Sequence, residues 1–459
     1  MAAVPDNPRT DIMDLPQEIL LEIIKNFTTP VSRSNLYNLC LVKPFNPAAT
    51  EALYGYGHSC NNSIEFLRTV IANPGLAALV RKLDLTPFSC NDAVNWGPLM
   101  EDDRSRFVNA MKALRPQGAD TEMVRFEHAL LKDCGTALCM LLWLYAPNIS
   151  NICVFDPCFE HLERGHLQWW QAVLELSQLM RPAQIYQKLT HISIAHVEFK
   201  LGFLANILKL PSLRSLEILG SQRNQSFLWD STADELPEDT SSVQSVRFFG
   251  HCLHPNVLER LIKCFKALRY FEYSQSYNSS NAWGVDEEEL MDFCTLGQAL
   301  QKHCNSLRTL AIYNTGATNP WSFSGCIPIS LLECHKLEKV NLDARMLFAP
   351  SSPKSLQDVL PTSITSFLLQ NVPGPDFNHV AALVSKLKER LVFPKIEYIG
   401  FQVLPADWYK HGYREKEWHY YEFDHNSFGA VGFYCQKFRS YRRELGSTMQ
   451  RWHEEGCMA

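Results

Sequence analysis

Leu268-Arg269-Tyr270-Phe271-Glu272-Tyr273 carries apolar or aromatic side chains at its first, fourth and sixth positions. On a strand, Phe271 and Tyr273 share one face while Tyr270 and Glu272 share the other, because successive side chains alternate. The same apolar-x-x-apolar-x-apolar pattern recurs along the chain. It reads Val80, Leu83, Leu85; Ile149, Ile152, Val154; Leu189, Ile192, Ile194; Leu213, Leu216, Ile218; and Val243, Val246, Phe248. After Tyr273 it returns as Leu307, Leu310, Ile312; Leu337, Val340, Leu342; Ile364, Phe367, Leu369; and Ile396, Ile399, Phe401. From Ile152 onward the middle positions lie 24 to 40 residues apart, room for a strand, a turn and a returning helix. The longer gap from Leu83 to Ile152 is expected to hold an insertion or a hidden repeat.

The segments between triplets read as helices. Asn256 to Phe265 has apolar Val257, Leu258, Leu261, Ile262 and Phe265; Leu290 to Leu300 and Val380 to Leu391 share the same period. Arg125 to Tyr145 and Leu162 to Met180 are longer helical readings. Recurrent strand-turn-helix units of this kind resemble leucine-rich repeats. The resemblance covers most of Val80 to Leu404, although the asparagine usual after the strand is mostly missing. One such unit cannot bury its own apolar face, and stacking makes a continuous core. The expected fold class is α/β: an irregular solenoid with parallel strands on the concave wall and helices outside. From Pro405 the pattern stops. An aromatic tail with Trp408, Trp418, Tyr420 and Tyr421 leads into a basic, helix-like Gln436 to Arg451, read as a C-terminal cap, with a separate aromatic binding module as the alternative.

The chain's head has a different rhythm. Leu15, Ile19, Ile23 and Phe27 recur every four residues, with Leu20 and Ile24 beside them, which predicts an amphipathic helix entered through Pro16. A second short apolar run contains Leu36, Leu39, Leu41, Val42 and Phe45, and a third helix is expected from Pro47 with Asn46 as its N-cap. Three short helices have little room for a private core, so apolar surface in excess of it calls for a protein partner. The order Leu15-Pro16-x-Glu18-Ile19-Leu20-x-x-Ile23-Ile24, then Leu39-x-Leu41-Val42, Lys43-Pro44-Phe45-Asn46 and Ala49-x-x-x-Leu53-Tyr54 resembles an F-box of fungal style. The family usually has one more residue between Leu-Val and Lys-x-Phe, and losing a residue in a helix rotates the next side chains by about 100°.

The F-box resemblance implies docking on a Skp-type adaptor, and through it a cullin, by Leu15, Pro16, Glu18, Ile19, Leu20, Ile23, Leu41, Val42 and Phe45. The expected division is an adaptor-docking module over 11–57, a repeat solenoid over 58–404 and the tail over 405–459. A repeat scaffold that binds proteins without ligase activity is the alternative.

With 459 residues, 46% hydrophobic and 20% charged, the chain is of globular type, and a net charge of -6 does not suggest nucleic acid as a partner. The most apolar run, Ala137 to Ala146, is too short to span a bilayer and reads as core. The 15 cysteines are odd in number and scattered singly, so reduced thiols are expected, in the cytoplasm or nucleus. The head, Met-Ala-Ala-Val-Pro-Asp, has no secretory pattern. No phosphate loop, dinucleotide fingerprint, zinc-protease helix or nucleophile elbow occurs, so no catalytic residue, metal or cofactor is assigned. Cys153 and Cys158 read as packing.

Strand alternation then suggests where a target would bind, the alternative being a solvated wall with no ligand. If the triplets face inward, Arg247, Phe249, Tyr270, Glu272 and Tyr313 face outward from three neighbouring strands, with Arg247 opposite Glu272. Aromatics and arginine are common interface anchors. Long loops after the strands carry Trp96, Trp229, Trp283 and Trp321, with Trp408 after the last strand. These tryptophans either pin their loops back onto the repeats or, as Trp229, Trp283 and Trp321, border the site of an unidentified protein substrate.

Overall fold

Val243, Leu268, Leu307, Leu337, Ile364 and Ile396 form a buried column in the computed structural model, each residue the first member of its triplet. The structure describes residues 15–25, 33–43, 45–55, 58–59, 63–84, 99–114, 124, 127, 130, 135–156, 187–196, 201–220, 236–249, 255–275, 293–314, 330–343, 348–349, 352–353, 359–372, 394–403, 418–424 and 435–438. The chain is α/β and divides into two compact units: Met1–Phe199 with Phe203–Ile218, and Lys200–Gly202 with Leu219–Ala459.

The first unit opens with three short helices, α1 (Gln17–Lys25), α2 (Arg33–Cys40) and α3 (Asn46–Gly55). Strands β1 (His58–Ser59), β2 (Lys82–Asp84), β3 (Asn151–Asp156) and β4 (His191–His196) run in parallel and in chain order, with β5 (Ser215–Gly220) beside β4 at the unit's end. Helices α4 (Ser63–Ala72) and α5 (Pro74–Ala77) separate β1 from β2; α6 (Glu101–Leu114) and α7 (Gly135–Tyr145) lie between β2 and β3; α8 (Leu201–Leu208) precedes β5. The sequence reading missed α4, α6 and α8; within the expected helix from Arg125 to Tyr145, the described residues Glu127, Leu130 and Gly135–Tyr145 are helical. The apolar run is core as expected: Leu141, Leu142 and Trp143 of α7 are buried.

In the second unit β6 (Ser245–Phe249), β7 (Tyr270–Gln275), β8 (Thr309–Asn314), β9 (Lys339–Asp343), β12 (Ser366–Val372) and β13 (Tyr398–Val403) are parallel neighbours in that order. A small antiparallel ladder of β10 (Phe348–Ala349) and β11 (Ser352–Pro353) intervenes in the chain. Helix α9 (Pro255–Cys264) joins β6 to β7, and α10 (Phe293–Gln301) precedes β8. Val257, Leu258, Leu261 and Ile262 are the buried stripe of α9. Its open side carries the Glu259–Lys263 pair one turn apart, at 2.6 Å.

Register explains why the triplets recur. Val246, Phe271, Leu310, Val340, Phe367 and Ile399 are successive partners across the strands. Each buried aliphatic side chain contributes roughly 1.5–3 kcal/mol, and every strand repeats the gain. The entry to each strand repeats too. The amides of Arg308 and Thr309 both donate to the Arg269 carbonyl, and those of Glu338 and Lys339 to that of Arg308. Thr365 and Ser366 do the same with Glu338. Hydroxyls reinforce this ladder: Ser306 donates to the Leu268 carbonyl at 2.8 Å and Ser363 to that of Leu337 at 2.7 Å. Parallel strands stacked in chain order are compatible with a solenoid-like α/β fold.

The parallel series ends at β13, which pairs antiparallel with β14 (Trp418–Asp424), itself antiparallel to β15 (Cys435–Phe438). The edge of β13 is therefore paired. Gln436 to Phe438 lie on β15, not on the expected helix, and the rest of that helical reading lies outside the described residues. So do Leu162 to Met180 and Val380 to Leu391.

Candidate functional site

The first candidate surface belongs to α1–α3. Leu20 and Ile24 of α1, Leu36 of α2, and Ala48, Ala49 and Ala52 of α3 make a small buried core. The alanines let α3 lie close to both other helices, so a few side chains suffice to close it. The Pro16 carbonyl accepts from the Ile19 and Leu20 amides and starts α1. Asn46 is not the N-cap expected of it: α3 already includes Asn46, whose side-chain amide donates to the Cys40 carbonyl at 2.5 Å and ties α3 to the end of α2. At the other end of α3, Tyr54 stacks on Phe66 of α4 with ring centroids 5.8 Å apart.

The residues expected to dock an adaptor range from buried to exposed around that core. Leu20 is buried within it. Leu15, Ile23 and Phe45 are half-buried, while Pro16 and Glu18 are exposed. Leu41, Ile19 and Val42 are 72%, 48% and 41% exposed, and Tyr37 is exposed beside them in sequence. The short connection after α2 exposes Leu41 and Val42. Leu41 and Val42 donate their amides to the Asn38 and Leu39 carbonyls, and the Phe45 amide returns to the Val42 carbonyl at 2.9 Å. The chain thus turns within Leu41-Val42-Lys43, with all three side chains directed to solvent. Clustered exposed aliphatics of this kind are a feature of surfaces that a protein partner covers.

The second candidate surface is the face of β6–β8 opposite the triplets. Arg247 pairs in register with Glu272, and Phe249 with Ser274, which pairs in turn with Tyr313. The Arg247 guanidinium Nε lies 2.6 Å from Glu272 Oε2. Its Nη2 donates to the Tyr270 hydroxyl at 3.1 Å, and that hydroxyl donates to the same Glu272 oxygen at 2.6 Å. The guanidinium carbon also sits 5.5 Å from the Tyr270 ring centroid. Burial, then the neighbouring Glu272 charge, pushes the Tyr270 phenol well above its ordinary value.

This triad is more enclosed than an open wall implies, for Glu272 is only 4% exposed. Its carboxylate is already matched by two donors, so recognition would use the outer surfaces of Arg247, Tyr270 and the half-buried Phe249 rather than the charge pair. Ser274, between Phe249 and Tyr313 in register, is buried. The side chain of Tyr313, and Trp229, Trp283 and Trp321 with Trp96 and Trp408, lie outside the described residues.

Two other side chains, Cys153 and His303, are held in unreactive states. Burial, then the nearby Asp84, pushes the Cys153 thiol up to about 11, which disfavours the thiolate a nucleophile needs. His303 is buried, with Nδ1 accepting from the Leu268 amide at 3.3 Å and Nε2 donating to the Ile262 carbonyl at 2.9 Å. Sequence reading missed this clamp, which binds the turn after α10 to the end of α9. Among the described residues no group of three or more His, Cys, Asp or Glu side chains could hold a metal ion, and no helix is long and apolar enough to cross a membrane. No protein-family model matches the chain, and no curated protein matches it.

Proposed function

We propose that the chain is the substrate-recognition subunit of a Skp–cullin–F-box ubiquitin ligase. In this reading α1–α3 are the F-box that docks a Skp-type adaptor, and the stacked strands are a leucine-rich-repeat-like solenoid that holds a protein target. The observation that carries it is the exposure of Ile19, Leu41 and Val42 around a small core that closes without them. Burying two or three such side chains against a partner contributes roughly 1.5–3 kcal/mol each, before the cost of association. The chain itself contributes no catalytic group. It raises the effective concentration of target lysines near a charged ubiquitin-conjugating enzyme supplied by its partners.

Affinity capture with the full chain tests this. The unaltered protein is expected to recover a Skp-type adaptor and a cullin, and Ile19→Asp combined with Leu41→Asp is expected to recover neither while keeping its unfolding transition. A chain that captures targets but no adaptor would instead be a repeat scaffold without ligase activity.

A further inference from the structure

Cys304 and Cys334 lie in the turns that lead into β8 and β9, thirty residues apart in the chain. Their sulfur atoms are 2.6 Å from each other, against about 2.04 Å for a covalent S–S bond. Both side chains are enclosed, at 7% and 0% exposure. The proximity is a product of the fold's register. Thr309 and Lys339 are direct partners across β8 and β9, and each stands five residues after its cysteine. The two turns also share their bonding: Cys304 donates its amide to the Gln301 carbonyl and Cys334 to that of Leu331, both three residues back. Equivalent positions of adjacent parallel strands are separated by about 4.8 Å. That separation falls within the roughly 4.4–6.8 Å between Cα atoms that a disulfide spans.

We propose that Cys304 and Cys334 form a disulfide site, at which a small-molecule disulfide of the glutathione type converts two thiols into a cross-link between consecutive strand units. The chemistry is two exchanges. The thiolate of Cys304, the more exposed partner, attacks one sulfur of the reagent; the reagent's S–S bond breaks and one small thiol leaves. Cys334 then loses its proton and its sulfur attacks Cys304 Sγ in the mixed disulfide, releasing the second small thiol. Two protein thiols and one reagent disulfide become one protein disulfide and two reagent thiols. Burial, with the Cys304 thiol beside it, holds the Cys334 thiol far above its ordinary pKa. The second step is therefore slow in the closed state and accelerates when the turns open or the pH rises. The bond closes the segment of chain between the two turns, which in sequence includes Trp321.

The probe is oxidised glutathione, applied to the full chain at mildly alkaline pH, alone and in sub-denaturing urea. Free thiols are then blocked and tryptic peptides are analysed without reduction. The expected product joins the peptide of Cys304 to that of Cys334 and disappears on reduction, and the oxidised chain unfolds at higher urea than the reduced one. Fragmentation must assign the bond to Cys334 rather than Cys326, which shares its tryptic peptide. The variant Cys334→Ser should lose the product while Cys326→Ser keeps it. Absence of a Cys304–Cys334 peptide in both conditions, or pairing of Cys304 with Cys326 instead, would overturn the assignment. Because the decisive reading comes from the unaltered chain, a variant that fails to fold does not affect it.

Discussion

Arg247 and Glu272 face each other across β6 and β7 at 2.6 Å, and the Tyr270 hydroxyl bonds to both. The carboxylate is the most enclosed member, so the three groups depend on one another unequally. Removing Arg247 leaves a buried negative charge without its cation, whereas removing the charge from Glu272 leaves Arg247 partly in water.

Arg247→Ala is accordingly expected to destabilise the chain by about 3 kcal/mol, near the lower end for a broken buried pair because part of the guanidinium is solvated. Replacing both partners, as Arg247→Met with Glu272→Leu, should cost much less. Urea unfolding of the two variants measures the difference. Equal losses would show that the pair contributes only packing.

Phe249 separates recognition from stability. It is half-buried on the same face and makes no part of the hydrogen-bonded triad. Phe249→Ala should weaken binding of a captured target by about 1–2 kcal/mol if it is an anchor, with a smaller stability loss than Arg247→Ala. Titration calorimetry beside urea unfolding would reveal the opposite order if the site lies elsewhere.

In α1, neighbouring residues should behave oppositely. Leu20→Ala opens a cavity in the small core and should cost about 2–4 kcal/mol of module stability. Ile19→Ala removes an exposed side chain, so its stability effect should stay within about 0.5 kcal/mol, with its cost appearing in adaptor affinity. Thermal melts combined with adaptor binding would distinguish the two roles.

Acid should loosen the turn after α10. Burial lowers the pKa of His303, and a proton on Nδ1 would face the Leu268 amide that now donates to it. The unfolded chain takes up that proton first, near the ordinary value of about 6.5. The stabilisation is therefore complete above that pH and is lost as pH falls through the lower folded value. Urea midpoints between pH 7.5 and 5 should fall, and His303→Gln should reduce the slope. An unchanged slope in that variant would assign the effect to other groups.

The sequence by itself determined the strand series. A side chain at each inward position must be apolar whatever lies beside it, so Leu268-x-x-Phe271-x-Tyr273 and its repeats are visible one strand at a time. It also placed Arg247 and Glu272 opposite each other, since alternation and equal spacing fix a register. The tertiary structure decided what local periodicity does not contain. In α1 an apolar residue can face the small core or a partner, and only the positions of α2 and α3 sort Leu20 from Ile19. Asn46 met a carbonyl made available by a turn rather than the helix start its identity favours. Glu272 is buried because neighbouring strands and the Tyr270 side chain surround it. His303 finds its two partners, and Cys304 its neighbouring sulfur, across breaks of thirty residues or more in the chain. Each of those contacts arises from stacking, which no single repeat encodes.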